Sequence, residues 1–255
     1  MLPHLPDSIR AIAVTQRGHG DAPKPDSGYL IEDFAADVVE LMDDLELGPA
    51  IVVGHSMGSW VTQRIAIDHP ERLLGVVLGG SFSGTPSNDP ALTAFAREMG
   101  TLQDPVPAEV AIEFQESTVA TPLTPEALDT FVSESLKVPA HVWRAAFAGF
   151  LEVKHSDELE NVTTPALLVW GDQDAFIRRE VQDELLDALA DSRLNVYEGV
   201  GDALHWERPE RFAADIVEFS RYCADPVAPG LSRGQCDSCD RRHTRRGPRG
   251  TQVRR

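Results

Sequence analysis

No apolar run in these 255 residues reaches the roughly 18 needed to cross a membrane. The start, Met1-Leu2-Pro3-His4, has neither the basic segment nor the apolar core of a signal peptide. A soluble, cytoplasmic protein is therefore expected. Cysteine is scarce, with three in the chain. Cys223 ends an apolar helical pattern, and Cys236 and Cys239 form a single C-x-x-C with His243 four residues on. A structural zinc site takes four ligands, and no second C-x-x-C is present, so incidental thiols are expected rather than a metal site. Positive charge is also sparse. Lys and Arg number 23 against 41 Asp and Glu, a net charge of −18. Residues 225–255 hold eight Arg and three Asp, which leaves −23 on the rest. An acidic body repels nucleic acid and anionic membranes, so neither is expected as a partner. The tail reads as solvated and disordered.

What the chain does have is a rhythm of short apolar strands and amphipathic helices. Ile9 to Val14 reads as a buried strand, followed by the Gly-rich turn Gln16-Arg17-Gly18-His19-Gly20-Asp21. From Ile31 to Leu45 the apolar positions 31, 34, 35, 38, 42 and 45 have helical spacing. Glu32 and Asp33 sit in the first turn, where the helix dipole favours acids, and Gly48-Pro49 stops the helix. Ala50 to Val53 reads as a strand, then a helix to about His69, then a strand from Leu73 to Leu78. Strand, helix, strand in this order argues for a parallel sheet. Residues 81–164 break the rhythm with helical patterns. One opens at Thr124-Pro125, a cap followed by Pro at the first helical position. Another runs from Ala140 to Leu151. Strands resume at Ala166–Trp170 and Leu194–Tyr197, with helices at Val181–Leu189 and Pro209–Tyr222.

Gly54-His55-Ser56-Met57-Gly58 is a G-x-S-x-G motif between a strand and a helix. In that setting a tight, strained turn lifts the serine hydroxyl clear of the sheet. Glycines on either side remove side chains that would collide with the neighbouring strand and helix. The Met57 N–H then faces a reacting carbonyl from a helix N-terminus. Ser56 is the candidate nucleophile and Met57 the candidate oxyanion donor. His55, at the x position, is a poor base candidate, because adjacent side chains in the elbow point different ways; it is placed among the substrate-binding residues.

The segment Val52 to Gly58 resembles the nucleophile elbow of the α/β-hydrolase fold family. Gln16 to Gly20 resembles that family's R-G-x-G turn, and Trp170-Gly171-Asp172-Gln173-Asp174 its G-x-x-D segment. The resemblance runs over about residues 5–222, with the motifs in the family's order of Ser, acid, base. It implies a mostly parallel sheet flanked by helices, made of residues 1–80 and 165–223, with 81–164 as an inserted helical cap and 224–255 as the Arg-rich tail. It implies Asp174 as the acid that orients the base, at the carboxyl edge of the sheet. It implies no cofactor and no metal. Serine at the elbow argues against the dehalogenase and epoxide-hydrolase members, which place Asp there.

The chain departs from the family pattern twice. Glu207, Pro209 and Glu210 fix the register of the last motif, and that register puts Asp202 where the family has its catalytic His. A serine hydroxyl needs a base with a pKa near working pH, which imidazole supplies and a carboxylate near 4 does not. Asp202 beside Asp174 would also set two like charges together. His205, three residues on, either swings in as the base or packs against the cap or the last helix. Second, no H-G loop precedes the Arg17 turn, and the family's first strands are missing from this chain. A truncated chain is expected, with inner strand edges exposed and one oxyanion donor missing. The expected function is hydrolysis of a small-molecule carboxylic ester, lactone or thioester through an acyl-enzyme on Ser56. Trp143 and Phe147 of the cap, with Phe114, Phe131 and Phe150, are candidates for an apolar acyl pocket or for plain core. The alternative is an impaired hydrolase-like protein or ligand-binding pseudoenzyme.

Overall fold

The sheet is built where β-branched and leucine runs lack helical period. The structure, a computed structural model, describes residues 1–82, 84 and 90–224 (for Ala91 the backbone only). Four strands, β1 (Ala50–His55), β2 (Leu73–Gly79), β3 (Ala166–Gly171) and β4 (Ser192–Tyr197), lie in the order β1-β2-β3-β4. All neighbours pair in parallel. All of β3 and all but Leu74 of β2 are buried, as expected of strands covered on both faces. The fold is a parallel sheet flanked by helices.

The helices follow the amphipathic pattern. Helix α1 (Ile31–Asp44) buries Ile31, Phe34, Ala35, Val38 and Met42 on one stripe. The Asp33 carboxylate accepts the Leu30 N–H at 2.9 Å, which caps the first turn. Leu45, the last position of the sequence pattern, falls just past the helix and is exposed. Helix α2 (Met57–Asp68) leaves the elbow directly. Between β2 and β3 come α3 (Pro90–Met99), α4 (Ala108–Ser117), α5 (Pro125–Ser135) and α6 (Ala140–Leu151). Thr124 Oγ1 accepts the Ala127 N–H, with Pro125 opening α5. After β3 come α7 (Arg179–Ala188), α8 (Leu204–Glu207) and α9 (Pro209–Ala224). No described helix is long and apolar enough to cross a membrane. The C-x-x-C and the Arg-rich tail lie outside the described residues.

One expected strand does not form. Residues 9–14 run without strand pairing, and Ile12 and Val14 are 41% and 40% exposed. The reason is a missing partner. A strand persists only where a neighbour satisfies its ladder, and among the described residues β1 pairs with β2 alone. Val53, on β1, is 39% exposed. The strand that leads into Ser56 is thus an edge of the described sheet.

A polar cluster lies buried under the inserted helices. Gln63 Nε2 donates to Ser81 Oγ at 2.9 Å, Gln182 Nε2 donates to the Ser81 carbonyl at 2.7 Å, and His155 Nδ1 meets Gln63 Oε1 at 3.3 Å. Burial, with Arg64 nearby, lowers the His155 pKa to about 4. In an unfolded chain it is about 6.5, so between those values the unfolded state binds more protons. Stability from this group is present above pH 6.5 and lost as pH falls towards 4, by up to about 3 kcal/mol. His155→Gln should flatten that dependence, read as urea midpoints at pH 5 and pH 7.5. An unchanged pH slope in the variant would contradict it.

Candidate active site

Ser56 stands at the turn from β1 into α2 with φ 50° and ψ −121°. This left-handed region is unfavourable for a residue with a side chain. Three hydrogen bonds hold it there. The Ser56 N–H donates to the Gly79 carbonyl at 2.9 Å, and the Ser56 carbonyl accepts both the N–H (2.8 Å) and the hydroxyl (2.6 Å) of Ser59. The glycines do unequal work. A Cβ on Gly54 would lie 2.0 Å from the Gly58 carbonyl oxygen. A Cβ on Gly58 would meet nothing within 4 Å. The expected clash on both sides is thus one clash: Gly54 makes room for the backbone of Gly58. Among the described residues no hydrogen bond engages the Ser56 hydroxyl or the Met57 N–H.

Ser56 opens into a cavity of about 430 Å³. His55, Met57, Asp202, Trp143 and Phe147 share its wall with Phe114, Phe131 and Phe150. Trp143 and Phe147 come from α6 and stack at 6.0 Å. Glycine also lets the turn bearing Asp202 close over β3. A Cβ on Gly171 would lie 2.2 Å from the Val200 carbonyl and 2.3 Å from that of Gly201. The Arg17 turn is anchored from below. Its guanidinium grips Asp37 of α1 with two nitrogens and donates to the Gly28 carbonyl at 3.0 Å.

Asp202 is buried, its side chain 4% exposed. Its Oδ2 lies 3.3 Å from His55 Nε2, which is also 2.8 Å from the Asp202 carbonyl oxygen. Its Oδ1 has no partner. Asp174 lies just past β3, outside the cavity lining. Its Oδ1 accepts the N–H groups of Phe176 (2.8 Å) and Ile177 (2.9 Å), while Oδ2 is buried without a partner. Burial raises the Asp174 pKa and the neighbouring Asp202 adds to it. The two N–H groups and His55 pull the other way, and the result is about 7. Burial alone would lower the proton affinity of His55, but Asp202 more than offsets it, so the pKa of His55 is raised.

His205, on α8, does not line the cavity. Its ring packs 4.5 Å from that of His55 and 5.1 Å from Trp206, and its Nδ1 is buried with no partner. Burial, with His55 adding to it, holds its pKa well below the ordinary imidazole value. The structure thus gathers Ser56, Met57, His55, Asp202, Trp143 and Phe147 on one cavity and leaves Asp174 and His205 behind the wall.

Two features have no local signal in the chain. One is the His55–Asp202 contact, made across 147 positions. The other is the structural use of Glu207. Its carboxylate accepts N–H groups from Ala120 (3.0 Å), Thr121 (2.9 Å) and Gly201 (2.7 Å). It ties the loop between α4 and α5 to the turn that bears Asp202. An acid before the last helix was visible, but its partners were not.

The chain belongs to the alpha/beta hydrolase family, whose model matches residues 1–215. It is 26% identical over 242 residues to a non-heme chloroperoxidase of Streptomyces lividans, covering 86% of this chain and 84% of that protein. It is 24% identical over 186 residues to a 2-hydroxy-6-oxononadienedioate/2-hydroxy-6-oxononatrienedioate hydrolase of Pseudomonas sp, covering 70% of this chain but 65% of that one. A thermophilic esterase from Thermogutta terrifontis superposes with a TM-score of 0.73 at 23% identity, over 82% of this chain and 78% of the esterase. That likeness speaks for the fold.

Proposed function

We propose that this chain is a serine hydrolase acting on a small carboxylic ester, lactone or thioester through an acyl-enzyme on Ser56. The observation that supports it most is the strained Ser56 backbone at the foot of an apolar cavity. Strain of this kind costs about 1–3 kcal/mol and persists where the surroundings impose it. In this reading the Ser56 oxygen bonds to the acyl carbon and its proton passes to an imidazole. The carbonyl oxygen becomes an oxyanion facing the Met57 N–H, at the positive end of α2. Collapse expels the alcohol or thiol, and water then releases the acid. His205, held neutral, is the acceptor, with Asp174 behind it. It reaches the hydroxyl by turning past His55, which makes turnover slow. Esterases among the structural neighbours fit this reading. The cap is the set of inserted helices that supplies Trp143 and Phe147.

The test is release of p-nitrophenol from acetate and butyrate esters by purified full-length protein. Slow turnover is expected, abolished in Ser56→Ala and in His205→Ala. Equal turnover in Ser56→Ala would overturn the reading. One observation favours a second reading, a ligand-binding protein with impaired catalysis: the Asp202 charge acts on Asp174, adding to the rise that burial causes in its pKa, where the chemistry needs a carboxylate beside an imidazole.

A further inference from the structure

The His55 imidazole stands on the cavity wall beside Ser56, and acylation by way of His205 leaves it without a task. Its Nε2 has two neighbours, the Asp202 carbonyl oxygen at 2.8 Å and Asp202 Oδ2 at 3.3 Å. Both are acceptors, so Nε2 carries the proton and Nδ1 holds the lone pair of the neutral ring. A Cβ on Gly79 would lie 3.7 Å from Cδ2. That edge of the ring therefore faces β2, and Nδ1 lies on the other edge. Among the described residues Nδ1 has no hydrogen-bond partner and is open to water, and the side chain is 24% exposed. A carboxylate that fixes one ring nitrogen while the other stays free is the arrangement that makes imidazole a base. No hydrogen bond joins this ring to the Ser56 hydroxyl. The free lone pair is thus placed for a proton carried by water, one molecule farther out.

We propose that His55 is the general base of the second half-reaction, taking a proton from the water that attacks the acyl-enzyme, with Asp202 positioning its ring. The proposal rests on the reading of Ser56 as the nucleophile and adds a catalytic residue to it. The water oxygen bonds to the acyl carbon as one of its protons moves to His55 Nδ1. The tetrahedral adduct then breaks its bond to Ser56 Oγ. That oxygen takes the proton back from Nδ1, and the free acid departs. His205 serves the first half-reaction, where the proton lies on the hydroxyl itself. Asp202 thus stands in the base register as the partner of a base. Burial disfavours charge on His55, but Asp202 more than offsets it and the pKa is raised, which strengthens the ring as a proton acceptor. The other ionisable groups around the ring are Asp174, whose charge acts in the same direction, and His205, packed 4.5 Å away.

The experiment separates the two half-reactions. Full-length parent, His55→Gln, Asp202→Asn and Ser56→Ala are incubated with p-nitrophenyl butyrate. The ester is then removed by gel filtration, and the butyryl adduct is followed by intact mass. His55→Gln and Asp202→Asn should still acylate and should accumulate an adduct that Ser56→Ala does not form. Decay of that adduct should be about 10²- to 10⁴-fold slower in His55→Gln than in the parent, the usual contribution of a positioned base. Asp202→Asn should slow it less, because the backbone carbonyl at 202 still holds Nε2. It should also move the acidic limb of the decay rate to lower pH, because the charge that raises the His55 pKa is gone. A merely structural role for Asp202 would leave that limb in place. Decay in His55→Gln at the parent's rate, or a His55→Gln protein that no longer acylates, would overturn the assignment of His55 and leave Ser56 as nucleophile standing. No adduct and no Ser56-dependent release of p-nitrophenol in any of the proteins would overturn the nucleophile itself.

Discussion

Asp202→His should raise the rate of Ser56 acylation by about 10²- to 10⁴-fold, the usual contribution of a positioned general base. Two local facts support that magnitude. Asp174 Oδ2 lacks a partner and can accept an imidazole N–H. Removing the Asp202 charge also removes a cause of the elevated Asp174 pKa, so the value should fall from about 7 towards the ordinary carboxylate range. Asp174 would then be ionised at pH 7 and able to hold the new imidazole in one tautomer. The check is acylation rate against pH for both proteins. The variant should show a limb near the ordinary imidazole pKa of about 6.5. A folded Asp202→His protein with no gain would mean that position 202 is not where the proton is taken.

Gly54→Ala should be among the most damaging single substitutions in the molecule, and Gly58→Ala among the mildest. The added methyl at 54 would sit 2.0 Å from the Gly58 carbonyl oxygen, 2.4 Å from its carbon and 2.4 Å from Thr62 Oγ1. Two of those atoms are backbone, so relief requires opening the turn that holds Ser56. Losses above about 4 kcal/mol come from a few such mechanisms, overpacking and backbone strain among them. At position 58 a methyl meets nothing within 4 Å, and alanine suits a helix better than glycine by about 1 kcal/mol. Urea midpoints of the two variants should fall on opposite sides of the parent. Similar midpoints would show that the elbow is not held by this contact.

Much of the architecture was legible because it is local. Period 3.6 in α1, the Thr124-Pro125 start of α5 and the glycines bracketing Ser56 are local signals, and each element they announced formed. Ile9 to Val14 has strand composition but no strand, because pairing depends on what lies alongside, which no window of sequence contains. The site divides in the same way. Asp202 was placed in the base register by Glu207 and Pro209, both near it in the chain. His55 turning its Nε2 to Asp202, His205 stacking behind it and Glu207 gripping Ala120 and Thr121 are contacts between distant segments. They follow from the closure of the 201 turn over Gly171, which only the folded chain displays.

The central claim is that Ser56 is an activated nucleophile. Its most direct test is to incubate purified, folded protein with a fluorophosphonate and read the adduct by intact mass, with Ser56→Ala as control. The account predicts one adduct on the parent, formed slowly, formed much faster in Asp202→His and absent from Ser56→Ala. No adduct on folded parent and folded Asp202→His, or an adduct that persists in Ser56→Ala, would contradict it.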